Sequence, residues 1–268
     1  MKTDLVFVIL AYRSTRDLRE FLQAAAAPGC TWQAVIVNSF YDEATRAEAE
    51  AIARQHGCLF LNVENRGYGA GNNTGLTAAL AQTDAPFVVI ANPDTRIESL
   101  PLARLKAHGR AVIGPEVLGR GGRLQNPLHY RRNPLVLLFR RLFALTGLRF
   151  FFFVSVFFNK LERAFFRRFV AKGAQRVYAL HGSFLVFPRE VLKELGGGRL
   201  FDERMFLYCE ENHVAERARA AGIPMIYDPE LRILHREDGS SGDARLKAAH
   251  FDITRRSLQV FFKNWRIF

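Results

Sequence analysis

The sequence predicts an α/β fold, a sheet begun by parallel strands with helices on both of its faces. Three observations carry that prediction. Short apolar runs recur at residues 5–10, 34–37, 59–61 and 87–90. Helix-forming stretches separate them at residues 17–25, 42–56 and 71–81. Each apolar run has the length of a strand, and strands alternating with helices of this size pair in parallel.

The elements follow in chain order. Residues 5–10 form the first buried strand, and Ser14 stands where it can cap the following helix. Ala34-Val35-Ile36-Val37 is the second strand, followed by an Ala- and Glu-rich helix. A third strand at residues 59–61 leads into Asn65-Arg66-Gly67-Tyr68-Gly69-Ala70-Gly71-Asn72-Asn73-Thr74-Gly75, which opens the next helix. The fourth strand ends in Ala91-Asn92-Pro93-Asp94-Thr95. Beyond Ala111-Val112-Ile113-Gly114 the alternation breaks. It resumes with a strand at 178–187, a helix at 189–195 and a helix from about 210 to 221 that Gly222 and Pro224 stop. Short strands at 225–227 and 232–234 and a closing helix at 244–262 complete the chain.

Composition narrows the class. The chain has 268 residues and is 49% hydrophobic, which suits one globular domain over residues 1–268. Cys30, Cys58 and Cys209 are scattered, with no CxxC pair, so neither a disulfide framework nor a zinc site is expected. Met1-Lys2-Thr3-Asp4 leads into a short apolar run without a small-residue cleavage site, which predicts a cytoplasmic protein. The net charge of +12 is concentrated at residues 131–176, where eleven Lys or Arg face a single acid, Glu162, among eleven phenylalanines. The longest uncharged run there, residues 150–159, falls well short of the ~20 residues a membrane-spanning helix needs. A basic, Phe-rich amphipathic insertion of this kind predicts an anionic membrane surface as partner and a peripheral location on the inner face of the cell membrane. Nucleic acid is the rival partner for such charge, but stacking aromatics in RNA-binding modules are few, so no nucleic acid is expected. A buried helical hairpin or an oligomer contact is the third reading.

Candidate chemistry begins with Asp94. In open α/β sheets ligands bind outside the carboxyl ends of strands, where this carboxylate stands. The bland alternative is a turn Asp that caps a helix near Glu98. The Gly-rich loop does not meet G-x-G-x-x-G, since Gly67-x-Gly69 is followed by Asn72, and it does not follow the first strand, so a dinucleotide site is not expected.

The Gly-rich loop, the strand ending in Asn92-Pro93-Asp94-Thr95 and the segment Phe201-Asp202-Glu203-Arg204-Met205-Phe206-Leu207-Tyr208-Cys209-Glu210-Glu211 together resemble the family 2 glycosyltransferases of GT-A fold, most of all their bacterial rhamnosyltransferase-like branch. The resemblance covers residues 5–95 and 178–241. It implies a nucleotide-sugar-binding half at 1–115 and an acceptor-binding half at 177–268, while the membrane-associating insertion at 131–176 is read from its composition alone. The implied activity is inverting transfer of a sugar, such as rhamnose, from a nucleoside-diphosphate sugar to a glycan or polyprenyl-linked acceptor of the cell envelope. Glu211 would be the catalytic base. Asp94 and His235 would hold Mg²⁺ or Mn²⁺. Tyr12, Asn38, Arg66, Gly67, Gly71, Asn72, Asn73, Asn92, Asp94, Glu210 and His181 would bind substrate. The chain departs from the pattern in four places: Asn38 replaces the usual Asp, Glu211 is one methylene longer than the usual base, His213 replaces a second acid, and Gly198-Arg199-Leu200 interrupt the run before Phe201. Those departures leave a non-catalytic nucleotide-sugar or glycan-binding relative as the alternative.

Overall fold

The computed structural model describes residues 3–25, 30–170, 173–236 and 244–265. The first half runs β1 (Leu5–Ala11), α1 (Thr15–Ala24), β2 (Trp32–Ser39), α2 (Glu43–Gln55), β3 (Leu59–Val63), α3 (Tyr68–Gln82) and β4 (Phe87–Ala91). The four strands pair in parallel in the order β3-β2-β1-β4. Alternation along β1 divides the core in two. Leu5, Phe7 and Ile9 pack with Leu18 and Phe21 of α1 and Ile52 of α2, while Val6 and Val8 pack with Leu76 and Ala79 of α3 on the other face. Full burial of each large apolar side chain contributes about 1.5–3 kcal/mol. Two caps fix the helix starts: Ser14 accepts from the Asp17 N–H and Asp42 from the Thr45 N–H.

The second half runs β5 (Thr95–Ser99), α4 (Leu102–Ala107), β6 (Val112–Leu118), α5 (Pro134–Thr146), α6 (Arg149–Phe169), β7 (Gln175–Val177), β8 (Phe184–Pro188), α7 (Arg189–Glu194), α8 (Glu210–Ala220), β9 (Met225–His235) and α9 (Ala244–Asn264). Here the sheet becomes mixed. β8 pairs antiparallel to β4 and to β6, β9 lies parallel to β6, and β5 and β7 pair antiparallel to β9. Among the described residues nine strands thus form one sheet, ordered β3-β2-β1-β4-β8-β6-β9-β5 with β7 beside β9.

Two expected elements differ. The strand predicted at 178–187 begins only at Phe184, because residues 178 and 179 bond instead to residues 128–130 and the chain then bends into the cleft. The two short strands predicted at 225–227 and 232–234 are one strand, β9, interrupted by a bulge. Pro115 and Glu116 are neighbours on β6, but their partners Asp228 and Arg232 are separated by residues 229–231. The bulge is anchored by buried Asp228, which accepts from Arg104 Nε at 2.6 Å and lies 2.6 Å from His108 Nε2.

The basic segment is a helical hairpin built into the fold. Leu137, Phe143 and Ala144 of α5 share a core with Leu258 and Phe261 of α9, and Phe151 and Phe152 of α6 pack against it. Gly147, in the left-handed region at φ 75°, closes α5 before α6 begins.

Candidate active site

The site lies where β4 and β9 end and β8 begins. After β4 the chain turns through Asn92, whose carbonyl accepts from the Thr95 N–H and the Thr95 hydroxyl. The Asn92 N–H donates to the Ser183 carbonyl at 2.8 Å, which ties this turn to the bend before β8. Asp94 is thereby held in a buried position, with Oδ1 3.3 Å from His235 Nε2. His235 is the last residue of β9 and stands opposite Thr95. Its Nδ1 lies 2.7 Å from Gln125 Oε1, an acceptor, which places the ring proton on Nδ1. Nε2 then turns its lone pair toward a carboxylate oxygen, an arrangement suited to a cation or a proton between them. Among the described residues no third His, Cys, Asp or Glu joins these two. A hard divalent ion here would complete its shell with diphosphate oxygens and water.

His181 packs its ring 5.7 Å from that of His235, and its Nδ1 accepts from the Ser183 N–H. Burial, aided by His235, pushes its pKa down to about 3, so the ring is neutral.

The opposite flank is the first turn of α8. Tyr208 and Cys209, both in the left-handed region at φ 71° and 75°, swing the chain so that Glu210 and Glu211 point into the cleft. Non-glycine residues are costly there, so the surrounding packing must hold them. Glu210 is buried and its Oε1 has no hydrogen-bond partner. Burial first, and the neighbouring Glu211 charge second, keep its pKa well above the usual carboxylate range. Glu211 is partly open to solvent. Burial raises its pKa too, but the Gly182 N–H and Arg140 favour its anion. Both carboxyls are thus harder to ionise than usual, the inner one the more so. Tyr68 donates its hydroxyl to the Gly182 carbonyl at 2.8 Å and so braces the bend that touches Glu211.

A third cluster lies at the ends of β1 and β2. Asn38, 1% exposed, donates through Nδ2 to Asn62 at 2.7 Å and leaves Oδ1 unpartnered. Tyr12 meets Tyr41 edge-on at 5.8 Å, and Arg13 lies over the Tyr41 ring at 4.3 Å.

The Gly-rich loop also packs α3 onto the sheet. A Cβ on Gly71 would stand 2.4 Å from Leu10, and one on Gly75 equally close to Val8, so these glycines let α3 approach the sheet. Gly67, at φ 100°, passes against the Phe206 carbonyl, which accepts from the Tyr68 N–H. Asn73 bonds the Phe201 N–H and carbonyl and Glu203, so its amide is spent on the protein rather than on a ligand. Arg66 pairs with Glu203 at 3.1 Å, and Asn72 donates to the Tyr68 carbonyl while its Oδ1 stays unpartnered.

The fold therefore brings Asn92, Asp94, His181, His235, Glu210 and Glu211 together around Gly182. Tyr12 and Asn38 lie at the same carboxyl edge of the parallel strands, farther along it beyond β1. The stretch Gly239-Ser240-Ser241 lies outside the described residues. Sequence reasoning missed Tyr68, although it sits inside the Gly-rich loop. It also missed Gln125 and Arg140, for which only the three-dimensional contact gives a signal.

The mixed sheet, whose parallel half ends in an acidic turn faced by a carboxylate pair, has the architecture of the GT-A fold. The chain belongs to the glycosyltransferase family described as "Glycosyltransferase like family 2", whose pattern matches residues 3–257. Among solved structures, Staphylococcus aureus TarS superposes with a TM-score of 0.58 at 15% identity, over 98% of this chain and 44% of that one. A mannosyltransferase from Pyrobaculum calidifontis, in complex with GDP-Man and Mn²⁺, gives 0.53 at 14% identity over 97% and 65%. At these identities the likeness is one of fold. A segment of 82 residues is 34% identical to an N-acetylglucosaminyl-diphospho-decaprenol L-rhamnosyltransferase of Mycobacterium tuberculosis, covering 31% of this chain and only a quarter of the relative. The described helices include none long and apolar enough to cross a membrane.

Proposed function

We propose that the chain is an inverting glycosyltransferase that moves a rhamnose-type sugar from a nucleoside-diphosphate donor to a lipid-linked or cell-surface glycan. The observation carrying this reading is that Glu211 and the Asp94–His235 pair flank the same bend at residues 181–183. Residues 1–115 would hold the donor and residues 177–268 the acceptor. The base of the donor would lie against Tyr12, with the free Asn38 Oδ1 accepting from its imide N–H. Glu211 would take the proton of an acceptor hydroxyl as that oxygen attacks the anomeric carbon. The bond to the diphosphate breaks on the opposite face, the electron pair leaves with the diphosphate, and the configuration inverts. Mg²⁺ or Mn²⁺ held by Asp94 and His235 would neutralise the leaving diphosphate. The rhamnosyltransferase segment supports the sugar and the lipid-linked acceptor, and TarS in complex with UDP-GlcNAc supports the donor class.

The test combines a thermal-shift panel of UDP-, dTDP- and GDP-sugars with transfer assays. Glu211→Gln should retain donor binding and lose ~10²–10⁴-fold in transfer, the usual contribution of a positioned base. Asp94→Asn should abolish the added stabilisation that Mn²⁺ gives with a nucleoside diphosphate. Donor binding without turnover on any acceptor would make the chain a binding protein. Full transfer by both variants would overturn the site.

A further inference from the structure

We propose that the outer face of α6 is a docking surface for an anionic lipid bilayer, with the helix axis lying in the membrane plane. This goes beyond the reaction above and does not rest on it. At 1.5 Å per residue the 21-residue helix is about 31 Å long. Its inner face is fully employed: Phe158 stacks on Phe139, Phe166 stacks on Tyr130, Ser155 is buried and Asn159 bonds His129. Its outer face carries Phe150, Phe153, Phe157, Leu161, Phe165 and Phe169, spaced three or four residues apart. Each is more than half exposed, from 54% to 67%. Leu145 and Leu148, at the turn before α6, continue the ridge.

Charge decides the occupant. Arg149, Lys160 and Arg167, separated by eleven and seven residues, form an exposed row along one edge of the ridge, and Arg168 stands at its end. The single acid of the segment, Glu162, is withdrawn from this face to accept from the Asn133 side chain at 2.6 Å and the Arg131 N–H. The face therefore presents phenylalanines and cations and no carboxylate. That combination suits anionic headgroups above an apolar layer. A second copy of the chain would instead bring like charges together. Arg140 and Arg163 belong to the interior: Arg140 donates to Asn212 at 2.9 Å, and Arg163 to the carbonyls of residues 124 and 125. The hairpin is also rooted in the catalytic helix, since Arg132 donates to buried Glu216 of α8 at 2.6 Å. A bilayer bound to α6 thus stands in fixed relation to Glu211.

Co-sedimentation of the full chain with phosphatidylglycerol and phosphatidylcholine vesicles tests the proposal. Two triple variants keep the inner face intact: Phe153→Gln/Phe157→Gln/Phe165→Gln, and Lys160→Glu/Arg167→Glu/Arg168→Glu. Wild-type protein should pellet with phosphatidylglycerol at low salt, and Phe157→Trp should shift to the blue on binding. The apolar triple should lower partitioning at least tenfold on both lipids. The charge triple should lower it by at least about a hundredfold on phosphatidylglycerol alone, since each basic residue contributes about fivefold at an anionic surface and the new carboxylates add repulsion. Unchanged melting temperatures would show that both variants fold. Wild-type protein that stays in the supernatant overturns the proposal. So does a dimer dispersed by the apolar triple without any vesicle binding, which would make the ridge a self-association surface.

Discussion

Alanine at position 182 separates the position of the base from its identity. The new methyl group would lie 3.0 Å from Glu211 Oε1, 3.3 Å from its Cγ and 3.4 Å from its Cδ. Ordinary contact begins at 3.4 Å, so Oε1 must retreat by about 0.4 Å. Misplacing a reacting group by ~1 Å costs about 10²-fold, so on a logarithmic scale 0.4 Å costs about sixfold, or roughly 1 kcal/mol. The assay is steady-state transfer on a soluble acceptor, with donor KM and the melting temperature followed in parallel. The expected result is a kcat lowered about sixfold, with the KM for donor and the melting temperature unchanged. A kcat within twofold of wild type, while Glu211→Gln is crippled, would refute the reasoning, because the carboxylate would then act from somewhere other than the bend at Gly182.

Two further outcomes follow from the geometry. Arg140→Gln removes a cation that favours the Glu211 anion, so the pKa of the base rises and the acid limb of the kcat/KM profile should move to higher pH, with Arg140→Lys restoring it. An unmoved limb in both variants would remove Arg140 from the control of the base. Gly67→Ala should cost about 3 kcal/mol, since it forces a left-handed alanine and puts its Cβ 2.2 Å from the Phe206 carbonyl. That corresponds to a melting temperature lower by roughly 6–12 °C. Gly109→Ala, left-handed but in open space, should cost about a third as much.

The parallel half was legible because its signals are local. Each strand of β1 to β4 is a run of apolar residues, and Ser14 and Asp42 cap the helices that follow. The bend at 178–183 was not legible, since Tyr178 and Ala179 find backbone partners some fifty residues earlier, at His129 and Tyr130. β9 was read as two strands because Pro229 interrupts the pattern, and no local signal shows that both pieces pair with β6. In the site, Asp94 and Glu211 stood out by motif, and the structure brings their neighbourhoods together. The amides were harder to read. Asn38 and Asn73 look alike in sequence, yet one keeps a free acceptor and the other is consumed by the Phe201 backbone. The hairpin's chemistry was legible as composition, but which arginines face outward was decided by partners such as Asn212.

The bulge in β9 acts as a phase shifter. Before it, Met225 and Tyr227 share the core that faces α3; after it, Ile233 belongs to the opposite core, so odd-numbered residues have changed sides. The change comes from residues 229–231, an odd insertion in a structure whose side chains repeat every two residues. His235 owes its meeting with Asp94 to that parity. A one-residue slip of the strand beyond the bulge would keep β9 paired with its neighbours but present Leu234 or Arg236 to the acidic turn. A slip of two would restore the face yet carry His235 about 7 Å along the strand, away from Asp94. The length of the bulge therefore fixes both which side chain meets the carboxylate and where it does so.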